Sequence, residues 1–374
     1  MTRLSELLER SARAAMSTQR ADGSFPAGHN GPYRDPETPV RNTAHWAVLL
    51  SHVHSLTASR DLEDGVRRAV GYLLSTAARP DGRGFVCRTN PRKNACNGLI
   101  GQAWAIEALA TTGLAHGERG WVDAAAEVFL AHPFDPQRRL WRMVEPNGRD
   151  LGFDPTFNHQ VWFAAASGLL ADSDDVVRQR VLAFLDATRS RHLRTARSGR
   201  IRHALWFNRR NLVRHPVRSR RVRWELPVKE IGYQSFNLYA LALLQRQFPD
   251  HELWAARPFQ RSLDYLDSRE YEQGIITNRF GFQYNPPGFE VPFALEVFRG
   301  AGPQWIGGWV ERQLAFGWDP QTGLTSRNAP DPWTAAARFY EATRLSDLSV
   351  DLGVAGRSRP STPQPPATAA PRPA

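Results

Sequence analysis

A chain of 374 residues, 41% hydrophobic and 23% charged, has the composition of a soluble globular protein long enough to bury a large core. Its longest apolar run, Val161 to Ala171, would make only about half a membrane span, and Cys87 and Cys96 supply neither a disulfide framework nor a zinc cluster. The net charge of +11 is local: thirteen arginines and no acidic residue lie between Arg189 and Arg223, and without them the chain would carry −2.

In chain order, one unit recurs six times. Each unit pairs a charged amphipathic helix with a more apolar one, joined by a long connection rich in Gly, Pro and Asn. The first helices are expected over 3–19, 61–78, 119–131, 174–190, 252–268 and 304–316, where charged residues hold one face and Leu, Val or Trp recur at helical spacing. The second helices open near Arg41, Asn97, Asp154, Ile231, Gly288 and Asp331. Returns to the next unit are short turns such as Thr57-Ala58-Ser59-Arg60. Hairpins that are amphipathic outside and apolar inside close best as two concentric rings, so the expected fold is all-α, an (α/α)6 toroid over 1–350. The long loops and the inner-helix N-termini would share one face, where a site would be built. The arginine-rich stretch 189–223 reads as an insertion in the fourth unit. Pro/Ala-rich residues 351–374 read as a disordered tail.

The N-terminal stretch Thr2 to Arg10 reads as a charged amphipathic helix rather than a secretory signal, and the expected location is cytoplasmic. The basic stretch suits an anionic membrane surface, a lipid-phosphate carrier or an acidic glycan, which would make the protein peripheral at the inner membrane face. It lacks the aromatic interleaving of a nucleic-acid groove, so nucleic acid is not an expected partner. His52 and His54 are two apart and point to different helix faces, and no phosphate- or dinucleotide-binding motif stands in a usable context; neither metal nor cofactor is expected.

Candidate site residues gather at the mouths of the second helices. The first unit offers Arg41, Asn42 and His45, and the second Arg88, Asn97 and Gln102. In the third, Asp154-Pro155 reads as an N-cap followed by proline in the first turn, with Asn158, His159 and Gln160 just inside. The fourth supplies Glu225, Glu230, Tyr233 and Gln234. The fifth supplies Tyr284, Asn285 and Glu290, stiffened by Pro286-Pro287-Gly288. The sixth supplies Arg327, Asp331 as a second N-cap, and Trp333.

Two chemistries fit these residue types. Arg, Asn, Gln and His donors beside a uronate carboxylate would stabilise a carbanion, with His159 or a tyrosine as the base; that is epimerase or lyase chemistry. Two carboxyls drawn from Asp154, Glu225, Glu230 and Glu290 would instead hydrolyse a glycosidic bond. A non-enzymatic glycan- or lipid-phosphate-binding subunit is the third reading.

The hairpin architecture resembles the six-hairpin glycosidase superfamily of glycoside hydrolases, sugar 2-epimerases and uronate-directed lyases. More specifically, Asp22-Gly23-Ser24-Phe25-Pro26 through Trp46, Arg88-Thr89-Asn90-Pro91, Asn97 to Trp104, Phe157-Asn158-His159-Gln160 and Tyr284 to Glu290 are similar to archaeal glycosylation-cluster proteins of the AglQ type. This resemblance covers nearly all of the chain up to Leu345, apart from the arginine stretch, and implies a role in building a hexuronic-acid-containing glycan. Asn158-His159-Gln160-Val161-Trp162 also resembles the Asn-His-x-x-Trp element of toroidal alginate-type lyases. That implies Asn158 and His159 at the substrate carboxylate and a proton-transferring tyrosine, either Tyr284 or Tyr233.

Overall fold

The structure is a computed structural model and describes residues 1–206 and 225–354. Residues 207–224, which hold the second half of the arginine-rich stretch, and 355–374 lie outside the described residues.

The inner ring runs α2 (Val40–Thr57), α4 (Gly98–His116), α6 (Phe157–Gly168), α9 (Gln234–Gln247), α12 (Pro287–Arg299), and the short α14 (Pro332–Ala337) continued by the 3-10 turn Arg338–Arg344. Each packs on the next and the last returns to α2, closing the ring. Inner helices meet protein on every side, so their sequences are apolar all round; every residue of α4 from Gly98 to Ala110 is buried. The outer helices are α1 (Leu4–Met16), α3 (Arg60–Leu74), α5 (Arg119–Leu130), α7 (Asp175–Ala187) and α13 (Pro303–Gly317), with a broken segment in the fifth unit. They bury one stripe only: α3 turns Leu62, Val66, Ala69, Val70 and Leu73 inward and leaves its charges to solvent. Tight turns link inner to outer helices, as where Gly117, at φ 68°, caps α4 one residue before Glu118 begins the next unit. Strand β1 (Thr2–Arg3) pairs antiparallel with β5 (Ser349–Val350), tying the two ends of the ring together.

The sequence expectation and the structure differ in three places. The third connection folds into an antiparallel sheet of β2 (Phe134–Asp135), β3 (Leu140–Val144) and β4 (Asp150–Phe153), with Trp141 fully buried beneath it. The fifth outer element, expected as one helix over 252–268, is broken into a 3-10 turn Glu252–Ala255, α10 (Arg257–Asp264), a second 3-10 turn and α11 (Arg269–Ile276). Pro258 can sit only in a first turn, and Ser268 caps the next helix by accepting the Tyr271 NH at 3.1 Å. Asp154 does not cap α6: Thr156 holds the cap position, and Asp154 Oδ1 accepts the Thr156 NH at 3.0 Å instead. Asp331 does cap α14, and its other oxygen takes the NH groups of His29 and Gly31 at 2.8 and 3.1 Å, pinning the last loop to the first. A further helix over 225–232 (α8) carries the fourth connection into α9.

Candidate functional site

The long loops and the first turns of the inner helices enclose a cavity of about 190 Å³. The third unit supplies Asn158 and His159 to its wall. His159 Nδ1 lies 2.7 Å from Asp154 Oδ2, and the same carboxylate also accepts the Leu99 NH at 3.2 Å. Asp154 is an acceptor and so holds the Nδ1 proton, and in the neutral form of the ring the Nε2 lone pair lies on the edge away from Asp154. Burial pushes the Asp154 carboxyl up, but the His159 charge and hydrogen bond and the two backbone donors outweigh it and hold the group below the usual carboxylate range. Gly98, at φ +63°, makes room for this pair: a Cβ there would lie 2.6 Å from Asp154 Oδ2 and 2.9 Å from His159 Nδ1.

A second part of the wall is phenolic. The hydroxyls of Tyr33 and Tyr233 are 3.0 Å apart. Tyr284 donates to Asn30 Oδ1 at 2.6 Å, an oxygen that also accepts Arg41 Nη1 at 3.2 Å. Burial, more than any neighbour, raises the Tyr33 and Tyr233 phenols above their ordinary values, so both stay protonated.

The rest of the charged lining is cationic. Arg41 lies 4.2 Å over the Trp104 ring and 3.4 Å from Glu37. Arg88 and Lys93 share buried Asp35 at 3.1 and 2.9 Å. Lys229 Nζ sits over the rings of Tyr33 and Tyr233 at 5.2 and 5.6 Å, and burial with the nearby Arg279 charge pulls it down to about 8. In the floor, Arg338 meets Glu290 at 2.8 Å, Glu341 at 2.6 Å and Asn285 at 2.6 Å. Burial and the Glu341 charge push the Glu290 carboxyl well above its ordinary range. Among the described residues, no carboxylate lines the cavity.

Of the residues expected at the site, Arg41, Arg88, Asn97, Asn158, His159, Tyr233, Tyr284 and Asn285 are brought together in this wall. The others are placed elsewhere. Gln102, Gln160 and Gln234 face backward and latch the long connections. Gln102 accepts the Phe85 NH at 2.7 Å, Gln160 the Trp141 NH at 3.1 Å and Gln234 the Ile201 NH at 2.8 Å, and each donates to a backbone carbonyl. Asn42 donates to the Pro26 carbonyl at 2.8 Å. His45 is buried, stacked 4.4 Å from Tyr340, and burial drives its pKa well down. Glu290 is wholly buried beneath the floor, where it also accepts Ser235 Oγ at 2.6 Å. Glu230 takes Arg200 and Arg202 at 3.1 and 3.2 Å and so anchors the segment that carries His203 into the wall. Arg327 and Trp333 lie on the outside, Arg327 donating to the Ala315 carbonyl at 2.9 Å and Trp333 being 42% exposed.

The lining residues that sequence reasoning passed over are chiefly Asn30, Tyr33, Lys93, His203, Lys229 and Arg338. One signal was available: the chain has 46 arginines and two lysines, and both lysines line this one cavity.

These features can be set against known proteins. No family model matches the chain. Archaeal glycosylation protein Q of Haloferax volcanii is 45% identical to it over 371 residues, covering 94% of this chain and 100% of that relative. The chain belongs to the archaeal glycosylation protein Q family. Among solved structures, a D-mannose isomerase superposes with a TM-score of 0.63 at 13% identity, covering 91% of this chain and 95% of that one. An inactive variant of the α-1,6-mannanase of Salegentibacter sp. HEL1_6, in complex with α-1,6-mannotetrose, superposes with a TM-score of 0.54 at 12% identity, covering 91% and 98%. At such identities these matches establish the fold alone, an (α/α)6 toroid. This glycosylation-family chain is thus built on a scaffold shared with sugar isomerases and glycoside hydrolases. No helix among the described residues is long and apolar enough to cross a membrane.

Proposed function

We propose that the protein is an enzyme of glycan assembly or processing that moves a proton on a hexuronate residue, as an epimerase, isomerase or β-eliminating lyase. The observation that carries this reading is the oriented His159–Asp154 pair in a wall whose other charged groups are cations. The proton on the carbon beside a carboxylate is very weakly acidic, and its removal sends negative charge onto the carboxylate oxygens. Fixed cations and hydrogen-bond donors stabilise that charge without reorganising. Arg41 is suited to this, because its buried Nε has no partner within the protein; Asn158 likewise keeps a buried, unpartnered Oδ1 for a substrate hydroxyl. His159 Nε2 takes the proton, Asp154 stabilises the imidazolium that results, and a phenol of the Tyr33–Tyr233 pair or Tyr284 returns a proton.

Hydrolysis by a carboxyl pair has less support. Glu230 and Glu290 lie outside the cavity wall, committed to Arg200 and Arg338, and Asp154 lies behind His159. The inactive mannanase variant lacks two adjacent aspartates. The one Asp-Asp dipeptide of this chain, Asp174-Asp175, caps outer helix α7. Contact of the arginine-rich 189–223 stretch with an anionic membrane or lipid-phosphate carrier, and with it a peripheral place at the inner membrane face, belongs to the same proposal.

The test is product analysis on uronate-containing oligosaccharides in heavy water. An unsaturated chromophore identifies elimination, and deuterium beside the carboxylate without chain cleavage identifies epimerisation or isomerisation. Cleavage with neither would transfer the assignment to hydrolysis, and no change across a broad panel would leave a binding protein.

A further inference from the structure

The cavity carries more positive charge than one uronate needs. Arg41, Arg88, Lys93, Lys229 and Arg338 line it, and among the described residues no carboxylate does. Asp35 is ionised, held low against its burial by Asn90, Lys93 and Arg88, but it serves two cations. Burial raises Glu37 to about 7 despite Arg41. Glu290 and Glu341 share Arg338 at 2.8 and 2.6 Å, and burial pushes Glu290 well above its ordinary range. Lys229 has no carboxylate within ion-pair distance among the described residues, resting instead on two aromatic rings. Among the described residues Lys229 is thus the lining cation without a paired carboxylate, and Arg88 and Lys93 divide a single one between them.

The surplus is also placed. Lys229 lies against Tyr33, and Lys93 pairs with Asp35 two residues further on, so both lysines stand beside the same turn of the first connection. In a chain that otherwise uses arginine for its cations, two compact ammonium groups at one place are a local choice. A compact ammonium binds phosphate as a point charge with rotatable donors, while a guanidinium pairs with carboxylate or phosphate through a fixed fork.

Resting on the uronate reading above, we infer that the substrate carries a second anionic group, a phosphate or diphosphate ester, bound by Lys93 and Lys229 while Arg41 and His159 face the uronate. The enzyme would then act on a hexuronate still attached to a phosphorylated carrier rather than on a released sugar. The same chemistry could come from a nucleotide or from a polyisoprenyl phosphate.

Calorimetric titration of the full chain with glucuronate, glucuronate 1-phosphate, glucose 1-phosphate and inorganic phosphate tests this. Glucuronate 1-phosphate should bind about tenfold or more tighter than glucuronate, with a gain that shrinks as salt rises. Lys229→Met and Lys93→Met should each cost more affinity for the phosphorylated sugar than for the free one, with melting curves establishing that both variants fold. Equal affinity for glucuronate and its 1-phosphate would overturn the inference and leave the uronate reading standing. Equal affinity for glucose 1-phosphate and glucuronate 1-phosphate would remove the uronate reading, and the inference with it. Within a positive result, tighter binding of UDP-glucuronate than of a short polyisoprenyl-phosphate glucuronate assigns the carrier to a nucleotide, and the reverse order assigns it to a lipid.

Discussion

Two neighbouring side chains in the first turn of α6 show how differently similar residues are used. Gln160 turns away from the cavity and spends its whole amide, accepting the Trp141 NH and donating to the carbonyls of Trp141 and Asp154 at 2.9 and 3.2 Å. Asn158 lines the cavity and keeps a buried Oδ1 with no partner. The same contrast separates Gln102 and Gln234 from Arg41 and His159. A polar group at a helix mouth becomes available to a ligand only where the fold has left part of its hydrogen-bonding capacity unspent.

Substitutions can break this contrast in graded ways. Replacing the wall residue His159 by Ala should lower turnover on a hexuronate substrate by about 10²- to 10⁴-fold while the melting temperature stays near that of the parent, read by kinetics and thermal unfolding side by side. Arg338→Met tests the floor, where one guanidinium holds two buried glutamates; stability in urea should fall by about 3–5 kcal/mol, and an unchanged midpoint would contradict its role as their counter-charge. Gln160→Leu tests a latch. It leaves the Trp141 NH and carbonyl buried without their partner, so it should cost about 1–3 kcal/mol of stability and leave turnover per folded molecule within a few-fold of the parent. The smallest effect belongs to Lys229, whose folded-state value near 8 lies below its ordinary 10.5. Between those pH values the unfolded chain binds a proton that the folded chain does not, so this group's contribution to stability rises with pH across the window. Allowing for its partial exposure the rise should be on the order of 1 kcal/mol, and comparison of pH–stability curves should find it missing in Lys229→Met.

Much of the toroid was legible because its signal is repeated: six alternations of amphipathic and apolar helix fix the two rings and put the loops on one face. The small sheet over Phe134–Phe153 was not, since its strands are short and lie in a stretch whose turn residues read as loop. Helix mouths pointed to the face where the cavity lies, and Asn158, His159 and Tyr284 fall in its wall. Sequence could not say which way a mouth residue faces. Gln102, Gln160 and Gln234 look like ligand-binding amides until the backbone they latch is seen. Glu290 looks like a catalytic acid until Arg338, some fifty residues later, is found against it. Arg338 and Glu341 carried a weak local sign, two charges three apart in a buried segment. The two lysines among 46 arginines carried a stronger one.

The most direct test of the central claim follows isotope exchange at the carbon beside the uronate carboxylate, comparing the parent protein with His159→Ala in heavy water. The account predicts deuterium incorporation by the parent, with exchange at least about a hundredfold slower in the variant. Exchange at equal rates in both would contradict His159 as the base, and chain cleavage by the parent without any exchange would contradict proton abstraction altogether.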